Sequence, residues 1–98
     1  MYGLIGRMTA VAGRRDALTA VLTARVALGM PGCLSYVIAH DAVDADAIRV
    51  TEVWISEAAH RDALADEGVK AVLRQGLPLI ATFEDATVTT PVGGLGLG

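Results

Sequence analysis

The stretch Ala47-Ile48-Arg49-Val50-Thr51-Glu52-Val53-Trp54-Ile55 decides the fold. It is rich in β-branched residues, with an acidic turn before it and Ser56-Glu57 after it, which reads as a strand. Side chains alternate along a strand, so Ile48, Val50, Glu52 and Trp54 share one face while Arg49, Thr51, Val53 and Ile55 share the other. Neither face is plainly made for water. The preceding run, Cys33 to His40, repeats the pattern, with Leu34, Tyr36 and Ile38 on one side and Cys33, Val37 and Ala39 on the other. Asp41 to Asp46 links the two as an acidic, turn-like segment, so they read as a hairpin.

Working outward, Leu4 to Val11 is short and largely apolar and ends at Ala12-Gly13, which predicts a first strand. From Arg14 onward, Leu18, Val21, Leu22, Arg25, Val26 and Gly29 fall at helical spacing, and Asp16 sits where the helix dipole favours an acid. Gly29 and Pro31 stop the run, so a helix is expected over 14–28. Ser56 can cap a second helix running through Leu64, and after Gly68 further helical turns carry Val69, Val72 and Leu73 until Gly76 and Pro78. Leu79 to Thr90 supplies the last strand. Pro91 to Gly98 is a Gly-rich tail with few side chains to pack, expected to be flexible.

The order β-α-β-β-α-β predicts an α+β, ferredoxin-like domain over residues 1–90: one four-stranded antiparallel sheet with two helices on one face. Two helices cover only that face. An antiparallel sheet with a solvated side should alternate cleanly, so the second apolar face predicts a partner, and a face-to-face homodimer satisfies it most simply.

Length and composition narrow the function. Ninety-eight residues make one domain, and 53% apolar with 19% charged residues excludes a disordered chain. Eight basic residues against eleven acidic ones, scattered along the chain, leave no footprint for nucleic acid. The longest uncharged stretch, Val26 to His40, is broken by Gly29, Pro31 and Gly32, so no membrane span is expected. Met1 to Arg7 has no basic segment ahead of an apolar run, and a cytoplasmic protein is expected. No metal is expected either, since the lone Cys33 with His40 and His60 makes no ligand spacing. Asp41, Asp44 and Asp46 lack the Gly and final Glu of a calcium loop. The tail glycines precede no helix that could cradle a flavin phosphate.

Pro31-Gly32-Cys33 before the second strand and Glu52-Val53-Trp54 at the end of the third resemble the antibiotic biosynthesis monooxygenase domain family. Trp54-Ile55-Ser56-Glu57-Ala58-Ala59-His60, leading to Leu77-Pro78-Leu79-Ile80, is similar to its small quinol-monooxygenase-like members. The resemblance covers Gly3 to Thr90. It implies a dimeric α+β barrel with a cavity between helices and sheet in each subunit. Some members use that cavity to oxidise aromatic polyketides or quinols with dioxygen and no added cofactor. The haem-degrading branch has a histidine on the second helix and an asparagine on the first strand; those positions fall here at Leu64 and near Gly6, so no cofactor is expected.

The expected function is a cofactor-independent monooxygenase acting on a small aromatic or quinol; the alternative is a non-catalytic dimeric barrel that binds a small apolar ligand. The catalytic candidates are Glu52, whose carboxylate can accept a phenol proton, and His60, whose imidazole can serve as a base. Read blandly, Glu52 is an ion-pair partner of Arg49, Arg61 or a second subunit, and His60 is a surface histidine. The substrate-binding candidates are Trp54, Tyr36 and Arg7. Trp54 matches the family's recurrent Trp, which lines the cavity in the oxidising members, and is otherwise a core residue. Tyr36 and Phe83 read as core, with the Tyr36 hydroxyl able to reach the cavity. Arg7 can hold an anionic substrate oxygen or an interface carboxylate.

Overall fold

The computed structural model describes residues 1–97; Gly98, the last residue of the expected tail, lies outside the described residues. The strands are β1 (Tyr2–Ala10), β2 (Cys33–His40), β3 (Ala47–Trp54) and β4 (Ile80–Thr89), and the helices are α1 (Arg15–Ala27), α2 (Glu57–Ala65) and α3 (Glu67–Gly76), the last followed by a single 3₁₀ turn at Leu77–Leu79. The sheet is antiparallel throughout, in the order β2-β3-β1-β4. This is the ferredoxin-like α+β fold expected from the sequence, but with three helices rather than two.

The extra helix comes from one residue. Asp66 takes an extended backbone (φ −65°, ψ 130°), its amide bonding back to Ala63 while its Oδ2 accepts the Val69 amide at 3.0 Å. It thus ends α2 and N-caps α3. The break lies at this acid and not at Gly68, because Asp competes for its neighbours' amides as effectively as glycine loosens the backbone. Ser56 caps α2 as expected, accepting from Ala59 N at 3.1 Å.

The core lies on the helix side of the sheet, where Ala10, Leu18, Leu22, Ile48 and Val50 form one buried cluster with Met8, Tyr36, Ile38, Leu79 and Ile80 packed around it. Leu18 and Ile48 are essentially sealed, and burying each contributes about 1.5–3 kcal/mol. The β2–β3 turn is built from the three aspartates. Asp41 Oδ2 accepts the amides of Val43 and Asp44, Asp44 Oδ1 accepts that of Asp46, and Arg15 Nη1 reaches the carbonyls of Asp41, Asp44 and Ala47. Entry into β2 depends on Gly32, at φ +82°, where an added Cβ would come within 2.7 Å of the Ala59 Cβ.

Two irregularities aim side chains. A register shift between Cys33 and Ser35 sets Cys33 opposite Trp54, on the helix side, leaving Ser35, Val37 and Ala39 outward. In β4, Asp85 at φ 30° forms a bulge between Glu84, opposite Arg7, and Ala86, opposite Gly6. The outer face carries no helix. Across its middle run Thr87, Ile5, Thr51 and Val37 in register, and Ile5 and Val37 stand about half exposed, at 48% and 52%.

Candidate active site

A cavity of about 310 Å³ lies between the sheet and the three helices, at the small end of ligand pockets. Its walls are mostly apolar, with Met8, Val21, Leu22, Leu73 and Ile80 among them. Two features of the chain make room for it. Gly6 presents no side chain on the central strand, and the β4 bulge at Asp85 bends the edge away beside it.

Of its polar lining residues, Glu52, Tyr36, His60 and Arg25 belong to the helix side, while Arg7, Glu84 and Asp85 border it at the β4 bulge. Glu52 and Tyr36 are register partners on adjacent strands, so both face the helices. His60 sits in the first turns of α2, its Nε2 3.9 Å from Glu52 Oε1. Its ring lies 5.3 Å edge-on from Trp54 and 5.6 Å from Tyr2. Trp54 is completely buried and is not among the wall residues; its Nε1 donates to Glu52 Oε1 at 3.1 Å. The ring therefore stands behind the carboxylate and orients it. Both contacts use Oε1, and neither draws on Oε2. Neither Arg49 nor Arg61 pairs with Glu52 among the described residues; Arg49, on the opposite face, donates instead to Asp41 at 2.8 Å.

Arg7 borders the cavity at the bulge, but its guanidinium is committed to Asp44 at 3.0 Å and to Glu84. Side-chain alternation points it to the outer face, away from Gly6 and Met8. Phe83 is not a core residue: it lies opposite Met8 on the edge strand, lines the cavity and remains 68% exposed, because no helix reaches over β4 there.

Arg25 was not a sequence candidate. It occupies the buried stripe of α1 with Leu18 and Leu22 and is 5% exposed. Nη1 donates to the Tyr36 hydroxyl at 3.0 Å, and the guanidinium lies 5.3 Å from the centre of that ring. Nε and Nη2 have no partner among the described residues. The signal was present in the sequence, since positions 18, 22 and 25 share one helix face and a charged residue on an apolar stripe needs a reason. Burial pushes the Tyr36 phenol above its ordinary value despite the opposing pull of Arg25, with Glu52 adding to the rise. Burial likewise raises the Cys33 thiol, whose Sγ donates to the Ser35 carbonyl.

Chemically, the cavity offers an acceptor carboxylate held by an indole, an imidazole beside it, a neutral phenol and a cation, all within apolar walls. Among the described residues no group of three His, Cys, Asp or Glu side chains converges to hold a metal ion, and no helix is long and apolar enough to cross a membrane.

Comparisons with known proteins agree with this architecture. No curated protein matches the chain. Among solved structures, a Chloroflexus aurantiacus J-10-fl protein carrying an antibiotic biosynthesis monooxygenase name is 50% identical, with a TM-score of 0.93 over 99% of this chain and 98% of its own. PA3566 from Pseudomonas aeruginosa is 27% identical, with a TM-score of 0.76 over 92% and 94% of the two chains. SnoaB, a cofactor-independent oxygenase from Streptomyces nogalater, shares the fold at 21% identity, with a TM-score of 0.80 over 96% and 95%. The family model for antibiotic biosynthesis monooxygenases matches residues 1–75. With that match and half its residues shared with the Chloroflexus protein, the chain belongs to the antibiotic biosynthesis monooxygenase family.

Proposed function

We propose that this protein is a monooxygenase that oxidises a small, electron-rich aromatic such as a quinol or hydroxynaphthalene with dioxygen, using no added cofactor. The observation that carries the reading is Glu52, a carboxylate in a cavity with mostly apolar walls, oriented by Trp54 through Oε1 and accompanied by His60. The substrate's hydroxyl gives its proton to Glu52, with His60 able to pass it on, and the anion left in the ring is the reductant of dioxygen. For a hydroxynaphthalene the balance closes as one oxygen atom entering the ring to give the quinone and the other leaving as water, all four electrons coming from the substrate. Apolar walls exclude bulk water from the anion.

The outer sheet face supports a homodimer as the working unit. Its exposed Ile5 and Val37 form the centre of a patch that a second copy can cover by two-fold symmetry. At its end Arg7, Arg49, Asp41, Asp44 and Glu84 form ion pairs.

One preparation tests the proposal. Wild type is expected to sediment as a dimer at micromolar concentration and to consume oxygen with at least one member of a quinol and naphthol panel. Glu52→Gln, nearly isosteric, is expected to keep its thermal stability and lose about 100-fold in rate, at the low end of what a general base contributes. A wild type that binds panel compounds but never consumes oxygen would replace the enzyme reading with that of a binding protein.

A further inference from the structure

The buried cation at Arg25 is unexplained by proton abstraction. A guanidinium stays charged at any accessible pH, and a charge removed from water is normally balanced by a partner. Here the residue is 5% exposed, and among the described residues its guanidinium has one hydrogen bond, to the neutral phenol of Tyr36. The Tyr36 ring offers only a modest electrostatic return at 5.3 Å. Among the described residues no carboxylate lies within ion-pairing distance of it. Glu52 lines the same cavity, yet its contacts are with Trp54 and His60.

The two unpartnered nitrogens are not an arbitrary pair. With Nη1 committed to Tyr36, Nε and Nη2 remain, and these form the side edge of the guanidinium, where two N–H bonds run parallel. That edge matches the two oxygens of a carboxylate, the commonest planar anion it pairs with. Arg25 lines the cavity, and both nitrogens lie buried at its wall, where a ligand reaches them once the neighbouring side chains give way. A single phenolate oxygen would have to share itself between the two donors, with both bonds bent.

We infer that the natural substrate is an aromatic carboxylate, its two carboxylate oxygens bound by the Nε and Nη2 edge of Arg25 and its ring lying along the apolar wall. This rests on the cavity being the substrate site, as proposed above. Tyr36 joins the two functions, being hydrogen-bonded to Arg25 and opposite Glu52 in the sheet. A carboxylate anchored at Arg25 therefore brings a neighbouring ring hydroxyl to the side of the cavity where Glu52 accepts protons. Arg25 is a binding residue, with its effect in affinity and KM before kcat.

The test is a matched pair of probes, 1-hydroxy-2-naphthoate and 1-naphthol, titrated calorimetrically into wild type, Arg25→Met and Arg25→Lys, with oxygen uptake measured in parallel. Wild type is expected to bind the naphthoate at least tenfold more tightly than the naphthol. Arg25→Met should abolish that preference while holding naphthol affinity within about twofold. Arg25→Lys, which keeps the charge but not the parallel donors, should fall between them, and it decides the matter if the Met variant fails to fold. Equal affinities in wild type, no measurable naphthoate binding, or a preference that survives both substitutions overturns the inference. The oxygen traces separate the two proposals: discrimination without oxygen uptake removes the oxidation and leaves the carboxylate site, and uptake without discrimination does the reverse.

Discussion

Along β3 a single sheet face is built in two ways. Ile48 is sealed in one cluster with Leu18, Leu22 and Ala10, an apolar contact with no polar atom to satisfy, and Val50, in the same cluster, already borders the cavity. Two residues further, Glu52 faces the same side of the sheet but meets a cavity, with Tyr36, His60 and Arg25 around it. The first end stabilises the fold through burial. The second end spends stability, because it desolvates a carboxylate and a guanidinium and leaves two of the latter's donors unpartnered. Where local rules are broken on one half of a face that obeys them on the other, the broken half is where function is to be sought.

Substitutions can break or sharpen this contrast. The largest stability effect is expected at the sealed end, where Ile48→Ala should cost about 2–5 kcal/mol in urea unfolding, with the cavity left behind adding to the lost transfer energy. A loss below about 1 kcal/mol would mean that this end is not the packed half of the molecule. Trp54→Phe stands between the two ends, since a slightly smaller ring fills most of the space but the Nε1 donor to Glu52 disappears. We expect about 1.5–3 kcal/mol of destabilisation, the range for a hydrogen bond to a charged group, together with a lower oxidation rate. Thermal melts and oxygen uptake on the same variant separate the two. An unchanged rate would show that the carboxylate is held without the indole.

The smallest effect concerns pH. The Tyr36 phenol is held above its ordinary value by burial, with Arg25 opposing and Glu52 and Cys33 reinforcing the shift. Below about pH 10 the phenol is protonated in both the folded and unfolded chain, so its contribution is fully present. Above that the unfolded chain releases the proton first, and stability declines as pH rises toward the folded value. Tyr36→Phe, which also strips Arg25 of its hydrogen bond and so starts from a lower stability at neutral pH, is expected to decline less steeply above pH 10. Denaturant midpoints between pH 8 and 11 would show it. Parallel slopes for the two proteins would assign the alkaline loss elsewhere.

Much of the fold was legible because it is written in local terms. The strand Ala47–Trp54 carries its own alternation, α1 its own apolar spacing, and Ser56 its own cap. The end of α2 was expected at Leu64, one residue short, but the next helix was expected only after Gly68 and starts at Glu67, because glycine and a capping acid both interrupt a helix and nothing local ranks one above the other. Phe83 was read as core on its size alone, but edge strands lack neighbours on one side. For the candidate site, Glu52 and His60 were candidates from residue chemistry and the family resemblance, and both line the cavity. That the indole of Trp54 supports the carboxylate and does not form the wall depends on where the ring goes once the helices are in place.

The sequence by itself determined which residues share a strand face or a helix stripe, and with them the topology, the apolar outer face and the acidic β2–β3 turn. These follow from periods of 2 and 3.6 residues and from backbone preferences that act within a few positions. Only the tertiary structure decided the partners. Arg7 is taken up by Asp44 and Glu84, residues remote from it along the chain, while Arg25 donates to Tyr36 and keeps two buried donors without a partner among the described residues. On the sequence these are two arginines among scattered basic residues. Which one is neutralised and which stays open depends on contacts made across the sheet and between layers, and no local rule carries that information.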